Sequence, residues 1–146
     1  MNALNKDSFY IEPKGSLCRV IEVIKNELLT NEIIETIDFS KNNGIDIERD
    51  ILKIAVCERH NYTNHIGVAF IKGIGLKKGA IASSVSHDSH NLVIVGTGDE
   101  EMALAGNTVI EMNGGLAVVE KGSVKAKMAL PIAGYSPFES YNLRAG

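Results

Sequence analysis

A short apolar run that leads directly into a helix is the feature that most restricts how this chain can fold. The run Asn91–Val95, which is continuously apolar from Leu92 onward, has the character of a strand buried on both faces of a sheet, and Gly96 ends it. Residues Thr97–Glu100 then match a capping box, in which the Thr97 hydroxyl and the Glu100 carboxylate satisfy free amides of a new helix. The sequence therefore predicts a helix that packs beside a strand inside a sheet.

The helix is predicted over about residues 98–113. The acidic residues 99–101 lie where the helix dipole favours negative charge. Asn113-Gly114-Gly115 would end the helix, because glycine readily adopts the left-handed conformation common at helix ends. The residues that recur at helical spacing and would form its buried face are Met102, Ala105, Val109 and Met112.

Short runs rich in β-branched and aromatic residues predict strands in most of the remaining chain. With one helix, they predict an α+β fold: a single domain with a mainly antiparallel sheet and the helix packed on it. A length of 146 residues suits one domain. The expected strands are Ser8–Glu12, Leu17–Ile24, Ile33–Phe39, Ile51–Glu58, Ile66–Lys72 and a final hairpin of Leu116–Glu120 and Ser123–Leu130.

Charge and hydropathy exclude some classes of function. A net charge of −3 argues against nucleic acid, whose phosphates need a basic surface. The amino terminus lacks a secretory signal, and no apolar run reaches the roughly 18–20 residues that span a bilayer. We therefore expect a cytoplasmic protein without a membrane partner. Cys18 and Cys57 lie in apolar runs and are expected to be buried, reduced thiols.

The densest polar cluster is the run SSVSHDSHN at residues 83–91, which lies between two apolar runs and is expected at the end of a strand. Three interpretations stay open. The side chains hydrogen-bond their own backbone in a turn, they contact a ligand or substrate, or His87 and His90 help to bind a metal. Two histidines fall short of the three or four ligands that a metal site needs. The candidate site residues here are Ser84, His87, Asp88, His90 and Asn91.

A second candidate cluster is Glu58-Arg59-His60, at the end of the Ile51–Glu58 strand. Either these side chains reach into solvent with a local ion pair, or they line the same edge as the 83–91 run. His65, placed in the loop that follows, is expected only to be solvated.

The sequence carries no complete catalytic signature. It has no His-x-Glu with Pro-Cys-x-x-Cys, no His-x-His pair and no Gly-x-Ser-x-Gly elbow. A self-sufficient hydrolase is hard to assemble from these residues, and we expect no cofactor in this chain.

Several motifs together resemble the carboxy-terminal domain of adenine deaminases. They are RDILKIAVCERH at 49–60, GLKKGAIASS at 75–84, SHDSHN at 86–91, and shorter matches at 95–97, 99–105, 114–115 and 130–134. The resemblance covers about residues 16–134. It predicts an amino-terminal extension or edge strand at 1–15 and a divergent tail at 135–146. The family usually has a second histidine after Glu-Arg-His, where this chain has Asn61.

The resemblance implies an activity that this chain does not carry alone. Adenine deaminases hydrolyse adenine to hypoxanthine and ammonia. As members of the amidohydrolase superfamily they hold a divalent metal (manganese, iron or zinc) in a (β/α)₈ barrel, which takes at least about 200 residues. That barrel is expected to be missing, so the chain looks truncated relative to the family and the isolated chain is expected to be inactive.

The resemblance also implies partners and a role for the candidate residues. The domain would pack beside the barrel of another subunit, or self-associate, through an exposed apolar face. Its site residues would bind the purine or close the active site to water. The alternative is a stand-alone, non-catalytic module that binds a purine or a partner. The residues expected to face the active site are Glu58, His60, His87, Asp88 and His90.

Overall fold

A computed structural model describes residues 4–24, 30–59, 64–84 and 91–129. These residues form one eight-stranded sheet and one α-helix, which confirms the predicted α+β class. The strands are β1 Leu17–Val23, β2 Thr30–Thr36, β3 Ile51–Arg59, β4 Asn64–Lys72, β5 Ala80–Ser84, β6 Asn91–Gly96, β7 Gly115–Glu120 and β8 Ser123–Ala129. The helix is α1, Asp99–Glu111, and two short 3-10 helices cover Lys6–Phe9 and Asn42–Gly44.

The sheet has the strand order β2-β1-β4-β3-β6-β5-β7-β8. All neighbours are antiparallel except β1 and β4, which pair in parallel with Val20 beside Phe70. Strands β3 and β6 lie side by side at the centre of the sheet, although β4 and β5 lie between them in the sequence. This pairing brings Glu58 and Asn91, one from each polar cluster of the sequence, to adjacent strands.

Helix α1 packs on one face of this sheet, and the main core lies between them. The helix buries Met102, Ala105 and Val109, as its spacing predicted, while Met112 is only half-buried. Alternation along a strand puts every second side chain on this face. The buried sheet residues beneath the helix are Ala55, Cys57, Ala80, Ala82, Leu92, Ile94, Ala117 and Val119.

The opposite face of the sheet is covered over only part of its area by the described residues. Ile45, Ile47 and Leu76 pack there against Leu52 and Ile71. The rest we call the open face. Its members include the exposed Val56, Ile81 and Met128 and the half-buried Val93, Leu116 and Val118. The half-buried Ile54 and Val95 lie at its border, where they also pack against the covered cluster.

The beginning of α1 differs from the predicted capping box. The N-cap residue is Gly98, without a side-chain cap, and the Thr97 hydroxyl instead donates to the carbonyl oxygen of Gly79 at 2.9 Å. Thr97 is buried, so its hydroxyl bonds the backbone that it meets across the fold. Asp99 faces inward, where the buried Lys53 donates to its carboxylate. The predicted capping box is wrong because Thr97 bonds Gly79, which is distant in the sequence, instead of an amide of the helix.

The strand predicted over Ser8–Glu12 is also wrong. This segment begins with the 3-10 helix Lys6–Phe9, in which the Asn5 side chain accepts from the Asp7 amide and Ser8 caps the Asn5 amide. Such local side-chain bonds compete with strand pairing. Phe9 is fully buried in the core under α1, so its apolar character reflects packing rather than a strand.

The remaining elements follow the sequence with shifted ends. Strand β2 ends at Thr36 rather than Phe39, because Phe39 turns to stack edge-on against Phe70. Both cysteines are free thiols; Cys57 is buried as expected, whereas Cys18 is half-buried. Among the described residues, no helix is long and apolar enough to cross a membrane.

Candidate functional site

One described residue from each polar cluster of the sequence lies at the same end of the open face. Glu58 of β3 and Asn91 of β6 are direct cross-strand partners. Directly opposed residues of an antiparallel pair have side chains on the same face, roughly 5 Å apart. Both side chains are half-buried. The fold therefore brings together two residues that are 33 positions apart in the chain.

His65 extends this pair to a third strand. It is the cross-strand partner of Glu58 on the β4 side, and its side chain is exposed. His65 was expected in a loop, but it lies within β4, where it pairs with Glu58 of β3. We call His65, Glu58 and Asn91 the polar row. The alternation of the β4 sequence was the signal that could have placed His65.

The polar row borders the open face. Along β3, Glu58 alternates onto the same face as Val56, and along β6 Asn91 does so with Val93. One end of an apolar surface is thus marked by a carboxylate, an amide and an imidazole. Such a border supplies hydrogen-bond donors and acceptors to whatever occupies the apolar part.

Ser84 does not join the polar row. It pairs with Gly115 of β7 and alternates with the buried Ala82, which places it on the helix side of the sheet. Its neighbour Ser83 lies on the open face instead, opposite Val93. A role for Ser84 stays a prediction, as does the role of every other site residue.

Most of the other predicted site residues lie outside the described ranges. His60, His87, Asp88 and His90 fall in residues 60–63 and 85–90, outside the described ranges. Arg59 ends strand β3, and its side chain is likewise outside what the structure describes. The described residues that flank both segments, Glu58 and Asn91, lie at the same end of the sheet.

The chemistry of the described row is that of hydrogen bonding rather than of nucleophilic attack. Cys57 is adjacent in sequence to Glu58 but points into the core, and burial raises the pKa of its thiol to about 11. Since the thiolate is the reactive form, Cys57 is not a nucleophile at neutral pH. Within residues 4–24, 30–59, 64–84 and 91–129, no group of three His, Cys, Asp or Glu side chains could hold a metal ion.

Comparison with known proteins gives a consistent match. Residues 27–141 match the family model described as the adenine deaminase C-terminal domain. The chain is 41% identical to the adenine deaminase of Thermosipho melanesiensis over 143 residues, which are 97% of this chain and 25% of that protein. It is 42% identical to that of Lysinibacillus sphaericus (90% and 23%) and 47% identical to that of Archaeoglobus fulgidus (85% and 21%). The chain thus spans about a quarter of the length of these relatives.

Proposed function

The chain belongs to the adenine deaminase C-terminal domain family, and from this premise we propose that it borders the substrate site of an adenine deaminase. In the proposed reaction, water displaces the amino group of adenine to give hypoxanthine and ammonia. The water-activating part of the enzyme lies in the three quarters of the relatives that this chain does not match. The chain by itself is then inactive.

The observation that carries this proposal is the pairing of Glu58 with Asn91. Each comes from a motif by which the sequence resembles the family, and the two motifs are distant in the chain. Polar side chains that converge at the end of strands, beside an apolar surface, form the common arrangement of a small-molecule site. The convergence supports a shared role for both motifs at one site.

The chemistry of the polar row suits a purine. Adenine has an amino group that donates hydrogen bonds and ring nitrogens that accept them. The Glu58 carboxylate accepts only, whereas the Asn91 amide both donates and accepts and can pair with an adenine edge through two bonds. From His65 to Asn91 the row crosses two strand spacings, about 10 Å, which is enough for a flat heterocycle.

The role that we assign to this chain is to hold the purine and exclude water. Exclusion of water strengthens every electrostatic interaction inside a site. A divalent metal, expected as manganese, iron or zinc, lowers the pKa of a bound water when it is present in the preceding part of the enzyme. In this proposal the described residues of the chain supply no ligand to it.

The proposal is tested in a chimaera that replaces the last quarter of the Lysinibacillus sphaericus enzyme with this chain, which is 42% identical to it. Asn91→Ala should lower kcat/KM for adenine by about tenfold or more, since an unpaired polar group in a closed site costs roughly 1–3 kcal/mol. The matched control is Asn31→Ala on the edge strand β2, at the far side of the sheet. Equal kcat/KM for Asn91→Ala and Asn31→Ala would show that the polar row does not contact the substrate.

The alternative function is a stand-alone module that binds a purine or a partner without catalysis. The exposed apolar residues of the open face favour association. Calorimetric titration of the isolated chain with adenine separates the two: tight binding by the chain alone supports the module, whereas no binding supports a site completed by another part of the enzyme. Release of ammonia from adenine by the isolated chain would contradict both.

A further inference from the structure

The open face is an apolar surface that extends from the central strand β3 to the edge strand β8. Cross-strand register aligns two lateral rows of five residues over β3, β6, β5, β7 and β8. The strands are about 4.8 Å apart, so each row is roughly 19 Å wide. None of the ten residues is charged. The rows are Val56, Val93, Ser83, Leu116 and Met128, and Ile54, Val95, Ile81, Val118 and Ala126.

Three of these apolar side chains are exposed, and two of them belong to interior strands of the sheet. Val56 is 37%, Ile81 36% and Met128 57% exposed, and Val56 lies in the central strand β3. On the other half of the same face, Leu52 and Ile71 are covered by Ile45 and Leu76 from the chain's own loops. A contiguous apolar surface of this kind marks an association site.

The length of the relatives indicates which part of the protein could cover the open face. The curated adenine deaminases are about four times as long as the region that this chain matches, and the matched family is a C-terminal domain. We propose that the open face docks onto the part of the adenine deaminase that precedes this domain. The inference rests on the proposed function for its partner. It adds the docking surface, whose exposed members are Val56, Ile81 and Met128, and it places the polar row at the edge of the contact.

Cysteine labelling in matched positions tests this surface. Val56 and Val124 are both exposed valines in strands, at 37% and 38%, but Val124 is opposite Val119 on the helix side. Val56→Cys and Val124→Cys are nearly isosteric, and peptide mass spectrometry follows each introduced cysteine separately from Cys18 and Cys57. In the 146-residue chain the two positions should react with a maleimide at similar rates.

In the Lysinibacillus chimaera, the cysteine at position 56 should react at least tenfold more slowly, whereas that at position 124 should keep its rate. Ile81→Cys is a second variant on the same face, and its reaction with the maleimide should be slowed as at position 56. Equal rates at positions 56 and 124 in the chimaera overturn the proposal. Slow labelling of position 56 in the isolated chain also overturns it: protection that grows with concentration assigns the face to a second copy, and concentration-independent protection assigns it to the chain's own residues.

The labelling and the kinetic measurements test the docking face and the proposed function independently. Protection at position 56 together with unchanged turnover in Asn91→Ala would retain the docking face and reject the substrate role of the polar row. Reduced turnover in Asn91→Ala with equal labelling at positions 56 and 124 would retain the role of the row and place the contact elsewhere.

Discussion

Lys53 and Asp99 form an ion pair in the interior of the protein, with the Lys53 Nζ 3.0 Å from the Asp99 Oδ1 and side chains 0% and 6% exposed. The same ammonium donates to the carbonyl oxygen of Phe9 at 2.8 Å, and Asn43 donates to the Asp99 carboxylate at 3.1 Å. One lysine of β3 therefore joins the amino-terminal segment to the first turn of α1. Both charges are hydrogen-bonded, which is the condition under which buried charges are tolerated.

Lys53→Met should destabilise the protein by about 3–5 kcal/mol, because it leaves the Asp99 carboxylate buried without its cation. Urea denaturation followed by circular dichroism measures the loss. The double variant Lys53→Met/Asp99→Asn should lose less than Lys53→Met alone, since it removes the uncompensated charge. As a control, Arg19→Met breaks a pair whose side chains are 83% and 62% exposed and should have much less effect. Equal stability of Lys53→Met and wild type would contradict a structural role for the pair.

Gly79→Ala should destabilise the protein more than Gly75→Ala. Both glycines have left-handed backbones, with φ of +84° and +80°. A Cβ at Gly75 meets nothing within 4 Å, so that change adds only the conformational penalty of about 1–2 kcal/mol. At Gly79 the Cβ would lie 2.1 Å from the carbonyl oxygen of Val119, and strands β5 and β7 would have to separate. Urea midpoints of the two variants check the order, and equal midpoints would show that the sheet accommodates the methyl group.

Stability should fall above pH 9 because of Cys57. Burial raises the pKa of its thiol from 9.0 to about 11. Between these values the unfolded state loses the thiol proton and the folded state keeps it, so the free energy of unfolding decreases as the pH rises. Cys57→Ala removes this contribution. The difference between wild type and Cys57→Ala should therefore shrink between pH 8 and pH 11 in urea titrations, and a constant difference would contradict the assignment.

At acid pH, protonation of the Glu35 carboxylate should lower the free energy of unfolding. Lys72 and Arg49 donate to it at 3.2 and 2.8 Å, and these bonds hold its pKa below the ordinary value of 4.5. The stabilisation is present above the unfolded pKa and is lost as the pH falls through the lower folded value. Glu35→Gln should thus be less stable than wild type at pH 6 and equal to it near pH 2.

Salt tests the electrostatic origin of this difference. Because the carboxylate is at the surface, 1 M salt should reduce the effect of Glu35→Gln at pH 6. Glu32→Gln on the same strand, which breaks the exposed pair with Arg19, is the matched control and should change stability less. A loss in Glu35→Gln that persists at pH 2 would show that its origin is packing rather than charge.

The sequence determined the local elements of this protein. Continuous or alternating apolar runs placed most strands to within a few residues, and the 3.6-residue spacing with Asn113-Gly114 placed the helix. These signals are local, because side-chain periodicity and turn chemistry depend on neighbours in the chain. The family resemblance also came from the sequence alone, since it rests on the residue types at 49–60 and 75–91.

Only the tertiary structure decided which distant residues meet. The pairing of β3 with β6 sets Glu58 beside Asn91, and the same sheet leaves Lys53 inside the core and Val56 exposed. Which strands pair, and which side chains become buried, depends on packing between segments far apart in the chain, which a local pattern does not encode. For the same reason Thr97 failed as a helix cap: its hydroxyl bonds the carbonyl oxygen of Gly79, a partner that only the folded chain supplies.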